Sequence, residues 1–508
     1  MRNDDPATTA ASVPQRARRG PGRPAPTGAE AGALALGALA LLWPALRNGY
    51  PLVFSDTGTY LSQAIQHYLG WDRPVFYSLF LLALHWQRTT WPPIAAQALL
   101  AAGTIRLTQR CLCPTAGPLR FLALIAVLAV ATPLPIFVSE LMPDLFTGLL
   151  ALALTLLVLV PDRLTRPERL GLTALAAFAM AAHLSSLPLG LGLLAVLAPC
   201  RQCLGATAPL GRAGRARLAA APLLAAAALV SVNLIGFGRA SLAPFGNVFL
   251  LARVLYDGPG MDALRHDCPH PGWRLCRSLG HFPTHADGFL WRADSPLQQA
   301  GGAKQVSREA DSILRAALRA EPGRELRAAL ANTLTQLTRF QTGDGLHPWP
   351  TTVTPWIQRD FPKAEQHAYA NARQTKGLPV LPPGLIPLHT ITTLAALLAC
   401  LALLPRTLRR HHPASGLICA TLLTLTLNAA ITGSLSGPHP RYQNRITWLP
   451  TLAALLAWGA VREREGDRGM ERKARGLCPL DPHQGLSPWN HWGLRQEGGA
   501  TLPLEWSE

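Results

Sequence analysis

The sequence predicts an all-α polytopic membrane protein that crosses the bilayer about ten times. Three observations lead there. Of its 508 residues, 49% are hydrophobic and only 15% charged, a balance too apolar and too charge-poor for a water-exposed globule of this length. The Leu and Ala excess comes in runs that approach the ~20 residues a helix needs to cross ~30 Å of hydrocarbon, where open strands would leave the backbone without partners. Arginines sit in short clusters between these runs, as they do in cytoplasmic loops. The net charge of +18 therefore reads as a signature of orientation and not as a nucleic-acid surface.

Taken in order, residues 1–30 are rich in Pro, Ala and Arg (Arg16, Arg18, Arg19, Arg23) and lack a core pattern, so they are expected to form a disordered cytoplasmic tail. A bundle at 31–237 follows. Its first span, 31–46, leads outward and has no small-residue cleavage site behind it, which makes it an anchor. Residues 48–73 are then external, and the short apolar run 73–86 (RPVFYSLFLLALHW) reads as a helix lying along the outer interface, where Trp and Tyr suit the headgroups. Spans at 91–110, 120–138, 145–160, 169–182, 184–199 and 217–237 alternate in direction, and the inner turns carry Arg163, Arg166 and Arg169, then Arg201, Arg212, Arg215 and Arg217. A polar stretch, 238–384, forms a large external loop domain; long domains translocate whatever their charge. Spans at 385–404, 417–432 and 446–461 complete the C-terminal membrane helices, and 462–508 is a charged cytoplasmic tail.

Within the external stretch, residues 303–340 have helical spacing and mixed charge, the pattern of a solvated amphipathic helix pair. Cys268 and Cys276 form its only cysteine pair and could close a small loop in an oxidising compartment, whereas Cys111, Cys113, Cys200 and Cys203 fall at inner ends, where thiols stay reduced.

The outer turns hold the chemistry. Phe54-Ser55-Asp56-Thr57-Gly58-Thr59-Tyr60-Leu61 lies just beyond the first span, followed by Trp71-Asp72-Arg73-Pro74. A carboxylate at an apolar boundary is partly desolvated, and Asp56 can serve as a general base or help hold a divalent cation; its alternative role is to cap the next helix. Glu140 and Asp144 form a second acidic turn in an apolar neighbourhood, where carboxylates are costly and mark functional sites; Asp144 could equally cap the next span. His183, beside Ser185 and Ser186, occupies a third outer turn. The last is His439-Pro440-Arg441-Tyr442-Gln443-Asn444-Arg445, in which two guanidiniums suit a phosphate at headgroup depth, either a substrate's or an ordinary lipid's.

Together, the first-loop acid, the neighbouring Pro-containing aromatic helix, the second acidic turn and the late outer Arg-Tyr resemble the GT-C superfamily of polytopic membrane glycosyltransferases. The resemblance covers these short patches within the first 190 residues and near position 440. It implies a sugar moved from a polyprenyl-phosphate donor to an acceptor at the outer face of the membrane. The Arg-bearing inner turns place both termini in the cytoplasm, and the membrane is expected to be a bacterial inner membrane. By the same likeness, Asp56 activates the acceptor, Glu140 and Asp144 take the part of the second acidic turn, and Arg441 contacts the donor phosphate. Their positions in the same outer turns make Asp72, Arg73, His183, His439, Tyr442 and Arg445 candidates to line the substrate site. The first loop departs from the paired-acid form frequent in that superfamily, since Ser55 precedes Asp56 and Thr57 follows it. Use of a divalent cation thus does not follow from the likeness. Two rival classes remain, a transporter or flippase and a non-enzymatic envelope-assembly protein. Transporters place polar groups at the midplane and often repeat their halves, whereas these acids gather at one face and no repeat is evident.

Overall fold

The computed structural model describes residues 27–268 and 272–476; the expected N-terminal tail up to position 26 and most of the C-terminal tail lie outside the described residues. Among them the chain is helical, and the only extended pairing is a single bridge between Leu52 and Glu140. The first part contains α1 (Gly28–Leu41), α2 (Trp43–Asn48), α3 (Thr57–Ile65), α4 (Phe76–His85), α5 (Trp91–Leu112), α6 (Pro118–Ala131), α7 (Leu134–Ser139), α8 (Leu145–Leu159), α9 (Arg166–Ala182), α10 (Ser186–Cys200) and α11 (Arg212–Phe237). Next come α12 (Gly246–Asp257), α13 (Gly260–Asp267), α14 (Ala286–Trp291), α15 (Pro296–Gln299), α16 (Gly302–Ala320), α17 (Pro322–Thr338), α18 (Thr354–Asp360) and α19 (Lys363–Asn371). The chain closes with α20 (Leu385–Arg409), α21 (Pro413–Leu435), α22 (Pro440–Asn444) and α23 (Trp448–Gly476). Residues up to Val461 form one compact unit, and the described residues beyond it, 462–476, belong to a second.

Helices α11, α20 and α21 are long and apolar enough to cross a membrane, and the chain is a membrane protein. On α11 and α20, large side chains such as Leu223, Ile235, Ile391 and Leu398 stand exposed, an arrangement that water penalises and hydrocarbon does not. Helix α8 lies at the centre: all of its residues are buried, packed among α5, α9, α10 and α21. Gly148 on α8 lets the indole of Trp448 come so close that a Cβ would sit 2.5 Å from the ring.

Proline breaks two of the expected spans. Between α1 and α2 the helix is interrupted at Leu42, just before Pro44, because proline lacks the N–H and crowds the carbonyl four residues back. The run 120–138 is likewise split into α6 and α7 at Thr132, which is extended ahead of Pro133. That break brings Ser139 and Leu141 against the first loop, where Leu52 N–H donates to Ser139 O and Leu52 O accepts from Leu141 N–H, each at 2.9 Å. Helix α4, the expected interfacial element, packs Phe80 on Phe146 and Phe178 and leaves Leu79 and Trp86 exposed.

Residues 238–384 do not share one core. Helices α12 to α16 enclose their own cluster, built on Phe245, Leu251, Phe289 and Val306, with Cys268 bonded to Cys276. The later segment, 345–381, instead joins the main core through Val353, Ile357, Phe361 and Tyr369. Its attachment is polar as well as apolar. The Gln374 side chain accepts from Val53 N–H at 3.1 Å and donates to Val53 O at 2.7 Å, and Gln374 N–H donates to Asn48 Oδ1 at 2.8 Å. Glu365 accepts from both Thr90 N–H and Thr90 Oγ1 at the start of α5.

Since Gln374 is buried and satisfies both polar groups of Val53, Gln374→Leu should leave them unpaired, at about 1–3 kcal/mol. Thermal unfolding in detergent should show the loss, and limited proteolysis should open 345–381 first.

Candidate functional site

The site grows from the Leu52–Glu140 bridge. Asp56 and Asp144 each stand four positions beyond their paired residue, and Thr57 Oγ1 ties the two turns again by donating to Leu141 O at 3.2 Å. Gln97, from α5, donates to the carbonyls of Val138 and Glu140 at 3.0 and 2.9 Å. The rest of the first-loop octet is structural: a side chain at Gly58 would collide with the Thr352 carbonyl and the Trp356 ring, and Tyr60 is buried.

Neither acid caps its helix. Asp56 precedes α3 and Asp144 precedes α8, yet neither side chain makes a capping hydrogen bond. Asp144, 1% exposed, pairs with Arg441 Nη2 and, at 3.2 Å, with Arg445 Nη1. Asp56 lies at the more open edge, its side chain 19% exposed, with Oδ2 2.6 Å from Arg73 Nη2 and 3.9 Å from Arg441 Nη1. Arg441 thus stands between the two carboxylates. Its guanidinium also lies over the Phe54 ring, 3.7 Å from the centroid, a cation–π seat, and the Arg441 backbone N–H donates to Asp344 Oδ2 at 3.2 Å.

Arg445 lies deeper and is fully buried. Besides Asp144 it donates to Ser185 Oγ and Asn428 Oδ1 at 2.9 and 2.8 Å, and its Nη1 is 3.2 Å from His183 Nε2. Burial, and then the neighbouring Arg445 charge, push His183 down to about 3, so its imidazole is neutral. Burial alone would raise the Asp144 carboxyl, but Arg441 and Arg445 overcome it and hold the group well below the usual carboxylate range. Glu140 behaves in the opposite way. Burial outweighs Arg441 and pushes its carboxyl up to about 8, leaving a neutral acid at pH 7.

Of the remaining sequence candidates, Asp72 is 9% exposed with Oδ2 3.8 Å from Arg73 Nη1, and burial raises its carboxyl. Tyr442 contributes its carbonyl to Asn428 and places its ring 5.8 Å from the Arg445 guanidinium. His439 stands apart from the carboxylates of this cluster, stacked edge-on against Tyr442 with Nε2 3.9 Å from Asp287. Sequence reasoning missed Phe54 as the seat of Arg441, and also Asn428 and Asp344. An amide inside an apolar helix marked Asn428. Asp344 stands between Gly343 and Gly345, both at positive φ, a turn signal whose distant partner no local pattern reveals.

Trp71, Phe249 and Trp291 form an aromatic wall beside Arg73, whose guanidinium carbon is 5.5 Å from the Trp291 ring. Among the described residues no three His, Cys, Asp or Glu side chains gather as a metal's ligands would. Compared with known proteins, the chain matches no family model, no curated protein and no solved structure.

Asp144→Asn should cost about 3–5 kcal/mol, because it strands two buried guanidiniums. The Asp144 contribution is complete above the unfolded carboxyl value, about 3.9, and falls away as pH drops toward its lower folded value. Glu140 has the reverse sign: its contribution is full below about 4.3 and is lost as pH rises through about 8. Unfolding followed from pH 4 to 9 should therefore show an alkaline decline that Glu140→Gln flattens.

Proposed function

We propose that the chain is a GT-C-like membrane glycosyltransferase, which moves a sugar from a polyprenyl-phosphate donor to an acceptor at the outer face of a bacterial inner membrane. The observation that carries the reading is Arg441, a buried guanidinium held between a sequestered carboxylate, Asp144, and a more open one, Asp56. In the proposed reaction the acceptor hydroxyl attacks the anomeric carbon and gives its proton to Asp56. The bond from that carbon to the phosphate oxygen breaks, and its electron pair leaves with the polyprenyl phosphate. Arg441 stabilises the charge developing on the phosphate, where a preorganised donor acts most strongly. Arg445, fully buried and holding four partners, positions Asp144 and through it Arg441. The Trp71, Phe249 and Trp291 cluster beside Arg73 offers apolar ring surface for a sugar.

The proposed topology has ten spans, with both termini cytoplasmic and the acids outside. The cysteines support that direction: the bonded pair lies in the segment assigned outside, and the exposed free thiols Cys200 and Cys203 lie at an end assigned inside. Cysteine introduced by Ala293→Cys should react with an impermeant maleimide on intact cells, and Cys203 only after lysis. The reverse pattern overturns the orientation.

The enzymatic reading is tested by transfer from polyprenyl-phosphate hexoses and pentoses in reconstituted vesicles. Asp56→Asn keeps the side-chain shape but removes the base, so kcat should fall by about 10²-fold or more while the unfolding temperature stays nearer wild type than that of Asp144→Asn. Arg441→Lys keeps the charge but loses the planar fork, and the donor KM should rise. Full activity in Asp56→Asn removes the proposed base.

A further inference from the structure

Helix α17 is built inside out. Its polar side chains turn toward the protein: Glu325 pairs with Arg253 on α12, Asn332 donates to Asp257, and Gln336 is buried with Nε2 donating to His439 O and Oε1 accepting from His439 N–H, both at 2.9 Å. These residues share one face, at i, i+7 and i+11. The opposite face carries Leu326, Leu330 and Leu334, at i, i+4 and i+8, which are 68%, 59% and 60% exposed. A water-facing helix has the reverse pattern, so the solvated pair expected at 303–340 holds for α16 alone. Helix α16 buries Val306, Ala310 and Ile313 and exposes Arg308 and Arg315.

The neighbours of α17 say what covers the leucines. Asn332 lies against Gly433, near the end of α21, with its carbonyl 2.7 Å from where a Gly433 Cβ would stand. Further along, Leu337 and Phe340 share a groove with Leu422, Leu425 and Thr426 of α21 and with Thr393 and Leu397 of α20. As α17 advances, α21 is met at lower numbers, so the two helices run antiparallel and the later turns of α17 descend alongside α21. Both α20 and α21 are long and apolar enough to cross a membrane. Across that groove α20 likewise exposes large apolar side chains, Ile391, Leu394 and Leu398. At the start of α17, Arg324 pairs with Asp262 and Glu321 at 2.6 and 3.3 Å, and at its end Arg339 turns back to donate to Pro438 O at 3.2 Å.

We infer that α17 is a lipid-embedded helix whose Leu326, Leu330 and Leu334 face the acyl chains of the leaflet beside the Arg441 site. The assignment needs no particular reaction at that site. It has a mechanical corollary, because Gln336 grips both backbone groups of His439, two residues before Arg441. The lipid seat of α17 therefore sets the depth at which the arginine loop is held.

Nitroxide labels test this in the full-length protein reconstituted in phosphatidylglycerol and phosphatidylethanolamine vesicles. The exposed thiols are first removed by Cys200→Ser and Cys203→Ser. Single cysteines are then introduced as Leu326→Cys, Leu330→Cys and Leu334→Cys, with Arg308→Cys and Arg315→Cys as the water-facing pair. Labels on the stripe should collide more often with dissolved O2 than with a water-soluble nickel chelate, and labels on α16 should show the opposite order. Should the label at position 330, the middle of the stripe, favour the nickel chelate as position 308 does, the leucines face water and the inference fails. Each substitution is at an exposed position, so folding, checked by the unfolding temperature, is preserved.

Discussion

A carboxylate clamped between two guanidiniums at the head of the central helix organises the outer end of this protein. Asp144, Arg441 and Arg445 are each less than a tenth exposed, and such charges are tolerated only when every partner is in place. Asp144 stands at the N-cap position of α8 without capping it, so its carboxylate is left to the two arginines. From there the requirement spreads. Arg445 must be met by Asn428 of α21 and by the Ser185 turn, and the Arg441 guanidinium by Phe54 while its backbone N–H is met by Asp344. Elements far apart in sequence are held to one geometry because none can withdraw without leaving a buried charge unpaired.

The segment 345–381 plays a related part for the first outer loop. Its contacts with Asn48, Val53 and Thr90 supply backbone partners to a stretch that has only one bridge of its own. Buried polar groups without such partners are costly. The loop carrying Asp56 is thereby rigid on the side away from the open edge, as a positioned acid requires.

Much of this was legible in the sequence. The apolar runs announced helices, and Asp56, Asp144, His183, Arg441 and Arg445, drawn from four separate turns, meet in one linked cluster. What the sequence hid is of two kinds. Proline breaks at Leu42 and Thr132 cut runs whose hydropathy is continuous, so the apolar pattern overstates helix length there. Partner choice was also invisible: nothing local in Phe54, Asp344 or Gln336 says that each touches the turn around Arg441. Helix α17 shows the same limit, for mixed charge and helical spacing do not reveal which face turns inward. Spacing constrains a face; only packing assigns its neighbour.

The bridge between Leu52 and Glu140 has an evolutionary consequence. It acts as a shared origin from which two short chains are measured out, each four residues long, to Asp56 and Asp144. A single inserted residue in either chain would rotate one acid away from Arg441, whereas a deletion in the long external stretch around α13 or α15 would leave that distance untouched. Descendants of this sequence should accordingly vary freely in the length of their external loops and hardly at all between 52 and 56 or between 140 and 144. The geometry thus constrains the length of those two intervals as well as the residues Phe54, Asp56 and Asp144 within them.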